Sequence, residues 1–370
     1  MKTRILALLL CVVTLFSFSA CVKKDAPEGD STLPTTGTAS APTENTTGSA
    51  DTPAPETDPV SVALDLTSEW NKVTAADSLV QGCVVVRTEF LNAHPDAVAN
   101  FLKEYKASIA YMTDAANLDS AAQMIVDQGI FTSAPVAKKA LPKCNVRYVD
   151  GTDMKAAMAT YLEVLKSVNP KAIGGKLPGD DFYYPATTEA SGKASGATIR
   201  VYTLNGTTGF GMAKLMDDAA NGKSTESYEF SVKADASVVT SALINGDVDI
   251  AALPTNAASN LYNVTNGGVR ILAVNTLGCL YLLTGKDTSV TSLADLKGKT
   301  VYVPAQNPTF IFTYLCRANG LEVGKDVIID STTYAVAANL KDAVAQGLVE
   351  IAVLPEPMVT IAINAAKAQK

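Results

Sequence analysis

Apolar and polar residues alternate in two registers along the chain after residue 59. Short apolar runs at residues 60–66 (VSVALDL), 83–87, 199–204, 228–232 and 248–253 read as strands. Between them, apolar residues recur at helical spacing. Pro95, just after His94, suits a first helical position, with His94 as the cap. Val98, Phe101, Leu102, Tyr105, Ile109 and Met112 then fall on one stripe. Further helical segments run to about residue 168, and others are expected at 211–220 and 238–245. Strands alternating with helices predict an α/β fold with largely parallel sheets.

One passage is written twice. Residues 246–256 read GDVDIAALPTN, and residues 347–357, which begin 101 positions later, read GLVEIAVLPEP. The echo extends further, because IRVYTLNGTTGFGMAKLM at 199–216 has the layout of KTVYVPAQNPTFIFTYLC at 299–316. Each copy predicts a strand, a polar loop, a helix, a strand, a helix, a glycine and a last strand ending at proline. The chain therefore carries one βαβαβ unit twice, which implies two similar lobes. Ligands of open α/β sheets bind beyond the carboxyl ends of the strands. Those ends are the loops at 205–209 and 306–310 after the first strands, and 254–256 and 355–357 after the third. Free N–H groups at 207–209 and 307–309 would favour an anion.

The N-terminal region has a different character. MKTR and the apolar run 5–20 make a secretory signal peptide, expected at 1–20. Ser19-Ala20-Cys21 resembles a lipobox, which would make Cys21 the lipidated first residue of the mature protein. Residues 21–59, rich in Thr, Pro, Ser, Ala and acids, read as a disordered stalk, and 185–197 as a linker. Of six cysteines, Cys11 leaves with the signal, while Cys83, Cys144, Cys279 and Cys316 sit in apolar settings as buried small side chains. A Cys83–Cys144 disulfide is compatible with export. At 370 residues, 47% hydrophobic and 18% charged, the chain suffices for two lobes. Its net charge of −7 argues against a nucleic-acid partner. His94 is the single histidine, which leaves little material for a triad or a metal centre. GTTGFG at 206–211 has the wrong glycine order for a dinucleotide loop, and NGKST at 221–225 lacks a phosphate-loop glycine at Asp217. No cofactor, metal or catalytic residue is expected.

SLADLKGKTVYVP (292–304), GDVDIAALPTN, AVNTLG (273–278) and VLPEP, together with the lipobox and stalk, resemble the extracytoplasmic solute-binding lipoproteins of ABC importers. The group is similar to alkanesulfonate-, taurine-, nitrate- and thiamine-pyrimidine-binding proteins. The resemblance implies a two-lobed periplasmic-binding-protein (type II) fold, each lobe a mostly parallel sheet flanked by helices. It also implies a lipid-anchored monomer outside the cell membrane, which traps a small anionic or heterocyclic solute and docks on the permease subunits. Lobe boundaries are expected at 60–80 with 286–370, and 81–184 with 198–285. Ligand-facing positions carried over are Thr207, Thr208, Gly209, Thr255, Asn256, Asn275, Thr276, Gln306, Asn307, Thr309 and Glu356. Glu356, the one acid in the four loops, would pair with an amino or ring N–H group, or else be a solvated charge. Trp70, Phe210 and Phe310 are candidates to stack on a ring, the alternative for each being core. The block 60–184 precedes both repeated units where the family has it last, so the domain is expected to be circularly permuted. A ligand-sensing lipoprotein without transport and an α/β enzyme are the rival readings.

Overall fold

Beginning at Asp58, the computed structural model describes residues 58–369; the expected signal peptide, Cys21 and the stalk up to residue 57 lie outside the described residues. The first block contains β1 (Val60–Asp65), α1 (Leu66–Val73), β2 (Gly82–Arg87), α2 (Thr88–Ala93), α3 (Pro95–Thr113), α4 (Leu118–Asp127), α5 (Ala134–Ala140), β3 (Val146–Val149) and α6 (Gly151–Val168). Asp65 caps α1 by accepting a 2.8 Å bond from the Thr67 N–H, one of the donors that a helix start leaves free. The stripe read from the sequence is the buried face of α3, from Val98 through Phe101 and Tyr105 to Met112. Burial of each such side chain is worth about 1.5–3 kcal/mol. His94 occupies the cap position, but its side chain makes no capping bond.

The first repeated unit is β4 (Thr198–Leu204), α7 (Thr207–Phe210), α8 (Ala213–Ala220), β5 (Ser227–Lys233), α9 (Ala236–Asn245) and β6 (Ile250–Pro254). It continues through α10 (Thr255–Val264) to β7 (Val269–Thr276) and β8 (Leu280–Gly285). The second unit is β9 (Lys299–Tyr302), α11 (Asn307–Ala318), β10 (Val327–Asp330), α12 (Ala337–Ala345) and β11 (Ile351–Pro355), followed by α13 (Met358–Lys367).

The strands form two sheets, in the orders β1-β8-β11-β9-β10 and β3-β7-β2-β6-β4-β5. Within each repeated unit the order is the same, third strand beside first beside second, and every pairing is parallel. The doubled glycine has a backbone cause: Gly246 and Gly347 lie at φ 80° and 71°, ending α9 and α12 in a left-handed turn that other residues resist. The doubled Ile-Ala-x-Leu-Pro becomes β6 and β11, both buried until the final proline.

The sheets as wholes are mixed rather than mostly parallel. β2 runs antiparallel to both β6 and β7, and β8 antiparallel to β1 and β11. The antiparallel strands are those by which the chain enters a sheet from the other lobe, where no helix returns the chain to a parallel start. Because β8 pairs with β1 and β11, the change of sheet falls at residues 277–279 rather than after 285. Residues 185–197 carry no helix or strand, yet they are fastened: Asn100 Nδ2 donates to the Lys193 carbonyl at 2.8 Å, and Ser195 donates to Glu226.

One apolar cluster packs α3, α4 and α8 on the six-stranded sheet. Another spans both sheets, joining Val85, Ala251 and Val274 to Leu282, Val301 and Val353 by way of Trp70, Tyr161 and Leu280.

Candidate functional site

The carboxyl ends of β4, β6, β9 and β11 converge where the two sheets meet. Two crossing segments, residues 74–81 and 277–279, run between the sheets and tie these ends together. The Thr255 N–H donates to the Gln81 carbonyl at 3.2 Å, and the Cys279 N–H donates to Gln81 Oε1 at 2.7 Å. The Glu356 N–H in turn donates to the Cys279 carbonyl at 2.9 Å. A chain of bonds that passes through the Gln81 side chain thus joins the tip of β6 to the tip of β11. Above it, the Thr207 hydroxyl donates to the Glu356 carbonyl at 2.8 Å, joining the loop after β4 to the loop after β11. From α6, the Tyr161 hydroxyl donates to Asn307 Oδ1 at 3.0 Å, which brings in the loop after β9.

Glu356 is buried, and its two oxygens accept from the Thr360 N–H and hydroxyl at 3.1 and 2.9 Å. Loss of water raises its pKa above the ordinary carboxylate value, against the pull of those two bonds. Cys144 and Cys279 lie close enough to this carboxylate to feel its charge. Burial, and then Glu356, push the Cys279 thiol up to about 12, and burial, then Cys279, then Glu356 raise that of Cys144. Both are protonated thiols, which are poor nucleophiles. Burial also raises the Tyr161 phenol, so it donates as a neutral group. Cys83, Cys144, Cys279 and Cys316 are all free, so the Cys83–Cys144 bridge is not formed. Among the described residues no group of three or more His, Cys, Asp or Glu could hold a metal ion.

Of the expected ligand-facing residues, Thr207, Thr255, Asn307 and Glu356 belong to this junction. Asn256 follows Thr255 on α10, and its Oδ1 is buried without a hydrogen-bond partner. Gln306 is exposed at φ 67°, and the Thr309 hydroxyl turns back to the Pro304 carbonyl at 2.7 Å. Asn275 and Thr276 are internal ties: Asn275 Nδ2 donates to Tyr105 Oη at 2.9 Å and to the Thr208 carbonyl at 3.1 Å, while the Thr276 hydroxyl donates to Asn275 Oδ1. Gly209 serves packing, since a Cβ there would stand 2.1 Å from the Leu204 carbonyl.

The three aromatic candidates separate. Phe210 is fully buried in the helix-side core of the six-stranded sheet, its ring edge-on to Phe131. Trp70 is fully buried, with Nε1 donating to Ser78 Oγ at 2.8 Å and its ring against Tyr161 and Tyr314 at 5.9 and 5.3 Å. Both are core. Phe310 is half-buried against the core that spans the sheets. A cavity of about 560 Å³ opens beside the crossing segments, lined by Thr67, Ser78, Asn145, Arg147, Thr160 and Leu277, and none of the expected residues lines it. Gln81 and Tyr161 were not singled out from the sequence, and Cys144 and Cys279 were read only as buried small side chains. Tyr161 belongs to an apolar helical stripe, and nothing in that stripe distinguishes the position that reaches the other lobe.

Among curated proteins, none matches this chain. Three solved structures show a partial likeness. An ABC transporter structure from Parabacteroides distasonis is 22% identical over 45% of this chain and 55% of that one, with a TM-score of 0.33. The periplasmic aliphatic sulphonate binding protein SsuA from Escherichia coli is 18% identical over 48% and 58%, with a TM-score of 0.33. The alkanesulfonate-binding protein SsuA from Xanthomonas axonopodis pv. citri, bound to MOPS, is 16% identical over 44% and 55%, with a TM-score of 0.27. The chain thus spans little more than half the length of these structures. Residues 215–370, which hold the first repeated unit from within α8 onward and all of the second, match the phosphonate family of ABC-transporter periplasmic substrate-binding proteins.

Proposed function

We propose that this protein is the solute-binding component of an ABC importer, a lipid-anchored monomer that closes two lobes on a small solute and presents the closed form to a membrane permease. The observation that carries this reading is the meeting of four equivalent strand ends, two from each repeated unit, at one junction between the sheets. A solute entering there would replace contacts such as Thr207 to Glu356 and Tyr161 to Asn307, and would be held by groups on both lobes. Hinge closure about crossing segments is the usual motion of such an arrangement. Thr207, Thr208, Thr255, Asn256, Gln306, Asn307, Thr309 and Glu356 are its proposed contacts, with Gln81, Tyr161 and Cys279 added. The protonated thiols and the absence of a histidine from these loops favour binding over catalysis.

A thermal-shift screen of the full chain against a broad solute panel tests this. A bound solute at 100 times its Kd stabilises by about 2.7 kcal/mol, which is a visible rise in Tm. That rise should shrink in Asn307→Leu and Thr207→Val, which fold but lose polar contacts. Conversion of a solute to product with turnover would replace this reading with an enzymatic one.

A further inference from the structure

None of the residues bonded at the junction lines the cavity beside the crossing segments. Its walls are Thr67 on α1, both crossing segments, the strand β3 and the helix α6. At about 560 Å³ it has the size of a small-molecule site, for which roughly 300–1,000 Å³ is usual.

The lining carries charges of both signs: Arg147 from β3, Asp77 from the first crossing segment and Asp153 from α6. All three residues are exposed, and none joins an ion pair or a side-chain hydrogen bond among the described residues. The opening holds the guanidinium beyond ion-pair reach of either carboxylate. Asp153 stands in the first turn of α6, where its charge answers the free N–H groups of that helix start, so Asp77 is the carboxylate left over. Thr67 Oγ1 is buried without a partner, a state that costs free energy until one arrives. It also presses on the second crossing segment, since a Cβ on Gly278 would stand 2.2 Å from it. The rest of the lining is largely aliphatic, with Val80, Leu277 and several alanines. A lone anion here would satisfy Arg147 and face two acids, and a lone cation would leave Arg147 unmatched beside it. A ligand with one charge of each sign avoids both conflicts.

We propose that this cavity is a second binding site, separate from the solute junction, for a small zwitterionic aminocarboxylic acid with an aliphatic body. Its carboxylate pairs with Arg147, its ammonium group with Asp77, and its body lies on Val80 and Leu277. The Thr67 hydroxyl gains the partner it lacks. Because both crossing segments form the wall, a ligand there touches the segments that join the two sheets.

L-Valine, isobutylamine and isovalerate share one branched chain and differ in head group: both charges, the ammonium alone, the carboxylate alone. Each is titrated into the full chain at pH 7 and constant ionic strength, with heats and Tm recorded. Valine should bind and raise Tm, and each analogue should bind about fivefold or more weakly, the worth of a charge-assisted contact at a partly exposed site. Arg147→Gln should bring valine down to the level of isobutylamine, and Asp77→Asn to that of isovalerate. Both positions are exposed, and circular dichroism confirms that the variants fold. Valine that binds no better than its analogues, or not at all, overturns this inference and leaves the solute-binding reading standing. Valine binding that survives both substitutions overturns it too, and its loss in Asn307→Leu would then place valine at the junction.

Discussion

Glu356 is a carboxyl group held away from water by the packing of two lobes, with only Thr360 to satisfy it. Its pKa is raised in the folded protein, so folding favours the protonated form. The linkage follows directly: the group's contribution to stability is fully present below the ordinary carboxylate pKa and is lost as pH rises through the elevated value. At neutral pH the buried charge is therefore a standing cost. Glu356→Gln keeps an oxygen for Thr360 and removes the charge, and should raise Tm at pH 7 by about 2 °C or more. The gap between variant and parent should close as the pH falls below the usual carboxylate range. A variant less stable than the parent at pH 7, or a gap independent of pH, would show that the carboxylate is solvated or paired after all. Thermal melts of both proteins across pH 4–8 decide this.

At the scale of elements, α1 is short, yet it bears Trp70, whose ring lies between Tyr161 of α6 and Tyr314 of α11. It is the point at which helices from three parts of the chain share one core. Trp70→Ala should cost about 3–5 kcal/mol, the usual loss for an emptied aromatic site. In urea the midpoint should fall with an unchanged slope; a loss below 1 kcal/mol would mean that the site collapses or was never filled. The sequence made β6 and β11 legible because their repeated motif contains its own boundaries, a left-handed glycine before and a proline after. The stripe on α3 was legible because one face of that helix is buried throughout. The strand at 83–87 was legible as β2, but the antiparallel direction of β2 and β8 was not, since apolar strands look alike whichever way they run. The same limit applies to the candidate site. Thr207, Thr255, Asn307 and Glu356 could be placed because strand ends of a repeat are predictable positions. Trp70 and Phe210 could not, because an aromatic side chain reads the same in a core as in a cleft. Gln81, Tyr161 and Cys279 reach the junction only by contacts between distant parts of the chain, which periodicity does not report.

For the molecule as a whole, the order of its blocks is a separable property from its fold. The described chain begins and ends in the same place: Lys367 Nζ on α13 meets Asp58 Oδ2 before β1 at 2.8 Å, and Pro59 accepts from the Lys286 N–H beside them. Between the blocks, 185–197 carries no helix or strand, and its ties to Asn100 and Glu226 begin only at Gly192. The chain could therefore be opened between Ala186 and Glu189 without losing a sheet pairing or those ties. With residues 1–57 left out, residues 369 and 58 could be joined by about six Gly/Ser residues, a flexible span of roughly 13 Å. Adjacent termini and an exposed, unpaired connection are the conditions under which a rearranged order is tolerated. Such a chain, running from 189 through the new joint to 186, should fold with unchanged far-UV circular dichroism and a Tm within a few degrees of the parent. It should also keep the same response to the solute panel, because the four strand ends and both crossing segments remain intact. A rearranged chain that aggregates or melts without cooperativity would show that the connection at 185–197 is part of what holds the repeated unit against α3. The order of the blocks would then be a constraint on this fold rather than a separable property.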